Sequence, residues 1–298
     1  MRTKAIFMAL FLITSISFSF CQKTNDKGEY LVRRIDINYP DNDNLDYTLI
    51  FHYDESGNIT MMEHFYPSTR DVYEFGVDFQ GLKEVKYKEV FYKKEDGMYY
   101  KKATEKEKHY SFNKQGTLFK KFIYFNTIKE RIQYTFLYDK SWKHVSTFEK
   151  IIESENDPKV NSKRNGTLNW STKINCLNGY TSVVHLNDGS KPFRVKEEYV
   201  YYQSKNVSNI DFNWLFYLGD LYGNIEGCIG LLGEKMPYLF AYEKKKKEMF
   251  GSIVKYEYDD LHRVVLARYM KEKILPIKNV DKVYKLLYTF YTMKVEYY

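Results

Sequence analysis

The sequence predicts an all-β protein: a large antiparallel meander of about a dozen strands closed into a soluble β-barrel, with a glycine-rich apolar insert or short helix plugging or capping the interior. Three observations lead there. Tyr, Phe and Trp make up 18% of the 298 residues, with 30 Tyr and only 6 Pro, a bias toward side chains that suit pleated, half-buried strands. Apolar and polar residues alternate with period two, as where Ile132, Tyr134, Phe136 and Tyr138 interleave with Gln133 and Thr135, and where Val85, Tyr87 and Phe91 interleave with Glu84, Lys86 and Lys88. A turn unit recurs at residues 51–59, 110–118 and 256–264.

The first residues are a separate matter. Met1-Arg2-Thr3-Lys4 precedes an uncharged run from Ala5 to Phe20 and then a polar stretch from Gln22. This is the order of a secretory signal, and the apolar run is too short for a comfortable transmembrane helix. The expected division is a signal peptide over 1–20, a short polar tether over 21–29 and a single barrel domain over 30–298. Cys21 sits where a bacterial lipoprotein keeps its lipid-bearing cysteine, although Phe20 replaces the usual small residue, and Ser17-Phe18-Ser19 offers an ordinary cleavage site just before it. Lipid tethering and free secretion both stay open. The formal net charge of +7 falls by two without Arg2 and Lys4, and the remaining charges are mixed along the chain, which speaks against nucleic acid as a partner. Cys176 and Cys228 can form one disulfide in an oxidising compartment or stay as two buried thiols.

Each copy of the turn unit reads aromatic, any, aromatic, Asp or Asn, a short turn, then an apolar restart. Asp or Asn caps a tight turn through its side chain, Gly supplies a positive φ, and the aromatics pair across the strands. In the third copy His262 stands in the glycine position, so that turn is expected to differ. No Gly-, Ser- or Pro-rich linker divides the chain, and only the polar stretch from Glu153 to Gly166, which contains Pro158, reads as a long loop.

From Asn209 to Phe240 the alternation stops. Ile210 to Leu218 is apolar without period two, and glycines follow at 219, 223, 227, 230 and 233. A barrel of a dozen strands leaves space that water, a ligand or a plug must fill, and this stretch is the natural plug. Trp214, Phe216 and Tyr222 are the candidate ligand-binding residues, as stacking surfaces for an apolar or glycan ligand; the plainer reading of Trp214 and Phe216 is as core residues on a short helix.

Taken together, Leu31-Val32-Arg33-Arg34-Ile35, Tyr53-Asp54 with Gly57-Asn58-Ile59, the run Ile210 to Leu215, Gly230-Leu231-Leu232-Gly233 with Pro237-Tyr238-Leu239, and Tyr256-Glu257-Tyr258-Asp259 resemble a family of uncharacterised bacterial lipoproteins described as having a porin-like β-barrel fold. The resemblance spans most of the mature chain. It implies a closed antiparallel barrel, soluble or tethered, and no activity.

Motifs for chemistry are absent. There is no Gly-x-Ser-x-Gly, no His-Glu-x-x-His, no cofactor loop and no metal knuckle, and none of the six histidines sits in a triad context. His52 and His64 flank the first hairpin out of register for a shared metal, and Glu197-Glu198 point to opposite faces of a strand. The sequence therefore leads to a cell-envelope protein, periplasmic or at the cell surface, that binds a ligand or partner without catalysis. An outer-membrane channel is the second reading and a carbohydrate-active hydrolase the third. Glu89, on the aromatic face beside Tyr87 and Phe91, argues that this face meets the interior rather than lipid, where a buried charge would cost about 2–4 kcal/mol for Lys or Arg and somewhat less for Glu.

Overall fold

The computed structural model describes residues 23–67, 69–78, 83–92, 99–100, 106–141, 143–216, 224–232, 234–244, 250–276 and 283–298. Its strands are β1 (Val32–Asn38), β2 (Tyr47–Tyr53), β3 (Ile59–Phe65), β4 (Thr69–Val77), β5 (Lys83–Tyr92), β6 (Tyr99–Tyr100), β7 (Lys106–Phe112), β8 (Leu118–Phe125), β9 (Glu130–Tyr138), β10 (Val145–Ser154), β11 (Ser162–Ser171), β12 (Cys176–Leu186), β13 (Phe193–Lys205), β14 (Tyr238–Lys244), β15 (Phe250–Tyr258), β16 (Val264–Pro276) and β17 (Val283–Tyr297). Apart from β6 and β7, which are not paired with each other, consecutive strands pair antiparallel, as Phe51 with Met62 in β2–β3 and Tyr256 with Ala267 in β15–β16. The two-residue β6 and the following β7 both lie next to β5. The first and last strands pair with each other, Ile35 against Val295 and Ile37 against Met293, and with the two-residue β6 left out of the count the result is a sixteen-strand, nearly closed antiparallel barrel.

Sixteen strands replace the dozen expected. The turns are tighter than the estimate assumed: strands of seven to ten residues fill most of the first half of the chain, and connections such as 54–58, 113–117 and 126–129 are four or five residues long. The expected long loop after Glu153 is also shorter, because β10 runs to Ser154 and β11 resumes at Ser162. Lys163 and Arg164 alternate outward and inward there like any strand residues, so polarity alone misread a charged strand as a loop.

All three copies of the repeat make the same turn. Asp54 N–H donates to the Asn58 carbonyl and Gly57 N–H to the Asp54 carbonyl; Asn113 with Thr117 and Gly116, and Asp259 with Arg263 and His262, repeat both bonds. In each copy the acidic or amide side chain also accepts from the backbone N–H groups two and four residues on. The third turn does not differ as expected, because His262 takes the left-handed conformation itself, with φ 58° beside 80° for Gly57 and 74° for Gly116. The cap network and the Asp259–Arg263 ion pair at 2.7 Å hold the backbone there against the side chain's preference.

These turns share one end of the barrel with Lys23 and Tyr298. Residues 23–30, read from the sequence as a tether, fold against that end: Leu31 N–H donates to the Lys23 carbonyl, Tyr30 N–H to the Val207 carbonyl and Tyr298 N–H to the Leu31 carbonyl. The buried core runs from this end toward the middle, from Val32, Phe51, Leu118, Val145, Cys176, Leu177 and Val264 to Tyr269, Tyr291 and Met293.

Replacing His262 by Gly relieves a left-handed L-residue that costs about 1–2 kcal/mol, less the extra chain entropy of glycine. The His262→Gly variant should gain roughly 0.5–1 kcal/mol in a urea titration with an unchanged m-value.

Candidate functional site

The insert between β13 and β14 turns back into the barrel mouth. Two short helices are described in it, α1 (Asn213–Phe216) and α2 (Asn224–Cys228). The four and five helical residues described are too few to be stable alone. What fixes them is side-chain capping from the chain itself: Asp211 accepts from Asn213 N–H at 3.2 Å and Met236 N–H at 2.9 Å, and Asn213 donates to the Tyr238 carbonyl and accepts from Phe240 N–H. The insert is then stitched to widely spaced strands. Tyr291 of β17 donates to the Leu215 carbonyl at 2.7 Å, Leu118 N–H of β8 to the Leu231 carbonyl at 3.1 Å, and Glu234 N–H to the Lys143 carbonyl before β10 at 2.8 Å.

Phe212, Trp214, Leu215, Phe216, Leu231, Leu232 and Met236 are all buried. The Phe216 ring lies parallel to those of Tyr291, Tyr269 and Phe240, with centroids 6.1, 6.2 and 6.4 Å away, and Tyr256 meets it edge-on. The Trp214 indole covers Gly227, where an added Cβ would lie 2.2 Å from the ring. Glycine at 227 thus lets α2 pack flat on the indole. The structure places Trp214 and Phe216 inside this aromatic packing, and Tyr222, the third sequence candidate, lies outside the described residues, as does Cys21. Cys176 and Cys228 are separate, buried free thiols. Burial pushes the Cys176 thiol up to about 12 and raises Cys228 well above its usual value, which leaves both unreactive.

Beyond the plug the inner wall carries charge. Asp71, fully buried on β4, receives Lys106 and Lys108 of β7, each at 3.1 Å, and the Tyr87 hydroxyl at 2.9 Å. Glu89 on β5 lies 3.4 Å from Lys106. Glu226 of α2 completes the layer by pairing with Lys121 of β8 at 2.7 Å and accepting from Tyr110 at 3.1 Å. Burial draws the Lys108 ammonium down to about 8 despite Asp71, while the two lysines hold Asp71 below the usual carboxylate range; burial opposes them there. Lys121 likewise outweighs burial at Glu226 and keeps it low. A charged layer of this kind is weak as a source of stability but strict about geometry, since removing one partner strands the other.

The sequence carried a trace of this layer. Lys106, Lys108 and Tyr110 share one phase of β7, and Glu89 shares the phase of Tyr87, so charges on the aromatic phase were the signal. What the sequence did not supply was Glu226, whose partners are more than a hundred residues away. His52 and His64 do face opposite ways: His52 meets Glu63 at 2.9 Å, and His64 is buried inside against Tyr66, with its pKa drawn down to about 3 by desolvation. Glu197 is hydrogen-bonded to Tyr180 and Tyr199 within, whereas Glu198 pairs with Lys196 outside. Among the described residues no group of three or more His, Cys, Asp or Glu could hold a metal.

Two substitutions probe the plug. Trp214→Ala opens a void under α2 and should lower stability by about 3–5 kcal/mol in chemical denaturation. At Asp211, burial pushes the carboxyl up to about 7 from 3.8. An acid raised in the fold contributes fully below its unfolded pKa, and that contribution is lost as pH climbs through the folded value. The melting temperature of Asp211→Asn relative to the natural chain should therefore move in the variant's favour between pH 4 and pH 8; a gap independent of pH would refute the assignment.

No family model matches the chain, and no curated protein matches it either. Similarity appears in solved structures. A porin-like protein from Bacteroides uniformis superposes with a TM-score of 0.53 over 90% of this chain and 98% of its own, at 14% identity. A porin-like protein from Bacteroides vulgatus gives 0.52 over the same shares, at 11% identity. The chain is thus similar, at the level of fold, to porin-like β-barrels.

Proposed function

We propose that this is an exported cell-envelope protein that stands in water as a plugged barrel, is tethered by lipid at Cys21, and works by binding a ligand or partner on its surface without catalysis. The observation that carries this reading is the outer wall. Arg34–Asp36 at 2.8 Å on β1 and Lys88–Glu74 at 2.9 Å on β4 and β5 place ion pairs on the outside at mid-strand, and Glu63–Arg70 at 2.9 Å on β3 and β4, Lys163–Glu149 at 2.5 Å on β10 and β11, Arg131–Glu153 and Arg268–Glu257 add further outer pairs nearer the strand ends. A lipid-facing wall needs an apolar band about 25 Å tall, and each Lys or Arg at its midplane costs about 2–4 kcal/mol. The porin-like fold is here turned to water, and its lumen is closed by the insert.

The signal-like first twenty residues support export. Lys23 is already hydrogen-bonded into the barrel, so only Gln22 separates the docked chain from Cys21. A lipid on Cys21 would hold the plugged end against the bilayer.

Fractionation tests this. The full chain should float with membranes yet leave them as Cys21→Ser, and the released protein should stay monodisperse without detergent and give no conductance in planar bilayers. A Cys21→Ser protein that resists alkaline carbonate and needs detergent would establish the embedded channel instead.

A further inference from the structure

The outer wall is not uniformly convex. Across β9–β13 it forms a recess of about 890 Å³, within the range of ligand sites. Its floor consists of two in-register rows of outward side chains. One runs Leu137, Thr147, Thr167, Thr181, Lys196; the other runs Thr135, Glu149, Asn165, Val183, Arg194. Four steps between strands of about 4.8 Å give the rows a length of about 19 Å.

Glycines allow the wall to bend here. Gly166 faces inward under the Phe148 ring, where a Cβ would lie 2.2 Å from it, and Gly179 lets β12 approach β13 so closely that a Cβ would meet the Glu197 carbonyl at 2.2 Å. A register shift in β11 after Asn169 adds local twist.

We propose that this recess binds an acidic oligosaccharide laid across the strands; the proposal rests on the water-facing wall argued above. Four threonine hydroxyls and the Asn165 amide offer donors and acceptors in alternation along the floor, which matches a chain bearing hydroxyls along its length. An apolar ligand would leave those groups unpaired. An extended peptide would need bare strand edges for its backbone, and β9 to β13 are each paired on both sides. The acidic group belongs at the β13 end. Glu149 is already bound to Lys163 and Lys196 to Glu198, whereas the exposed Arg194 has no carboxylate partner among the described residues, and it stands three strand steps, about 14 Å, from Glu149. Its guanidinium can take a carboxylate through two parallel bonds.

The test titrates the full-length protein with tetragalacturonate, the uncharged tetragalactose and an extended tetrapeptide, with Thr167→Val, Thr181→Val and Arg194→Gln as variants whose folding is checked by circular dichroism. Binding of tetragalacturonate alone, weakened about tenfold or more by Arg194→Gln and several-fold by either Thr→Val, is the expected result. Equal binding of the neutral tetrasaccharide, binding of the peptide instead, insensitivity to all three variants, or no binding by protein that remains folded would each overturn the proposal. Protein that enters detergent micelles and resists carbonate would instead overturn the water-facing reading, which the titration leaves separate.

Discussion

A cylinder of sixteen strands encloses more volume than its own wall can fill, and the way this chain occupies that volume governs the rest of the structure. Eight strands bring opposite walls close enough for their side chains to meet, but twice that number leaves a lumen. Here the space is taken by a folded-back connection whose two helical turns have no stability of their own. Phe216 stacks among rings from β14, β16 and β17, Trp214 lies on Gly227, and Asp211 and Asn213 spend their side chains on backbone groups that a longer helix would have satisfied internally. The filling and the wall therefore depend on each other: without the insert the aromatic ring faces have no partner, and without the wall the insert has no conformation.

The charged layer follows from the same geometry. The insert packs against the wall at one end of the barrel, and beside it the inner wall carries charged and hydroxyl side chains. Lysines of β7 pair with acids on β4 and β5, the Tyr87 and Tyr110 hydroxyls donate to Asp71 and Glu226, and Glu226 ties the plug to this layer. Desolvation opposes the charge at Asp71, Glu226 and Lys108; the lysine contacts outweigh it at Asp71 and Glu226, while Lys108 is left easier to deprotonate.

Much of this was legible in the sequence, for reasons that can be stated residue by residue. Period two in β5 and β9 is a direct imprint of the pleat, and the Asp or Asn at the turn unit announces its own hydrogen bonds. The loss of that period from Ile210 to Leu218 located the plug. The number of staves was not legible, because it depends on how short a turn can be and where charged strands such as Ser162–Ser171 begin, and neither shows in polarity. His262 misled for a related reason: the sequence displays which residue prefers a left-handed turn, not which residue its neighbours will force into one. The recess across β9–β13 was out of reach, since Gly166 and Gly179 act through a cross-strand ring and a carbonyl that only the register brings near.

The seam between the first and last strands carries a consequence for how the molecule is made. Val32 waits for Tyr297, and Ile37 for Met293, so no chain that stops before β17 can complete the circle. Until the final strand arrives, the growing sheet has two raw borders able to recruit any stray β-segment, and a contact so distant in sequence forms slowly. A truncated chain thus differs in kind from a slightly smaller barrel: it is an open ribbon, sticky along both sides, and a cell that produces it needs a holding chaperone to keep those sides apart.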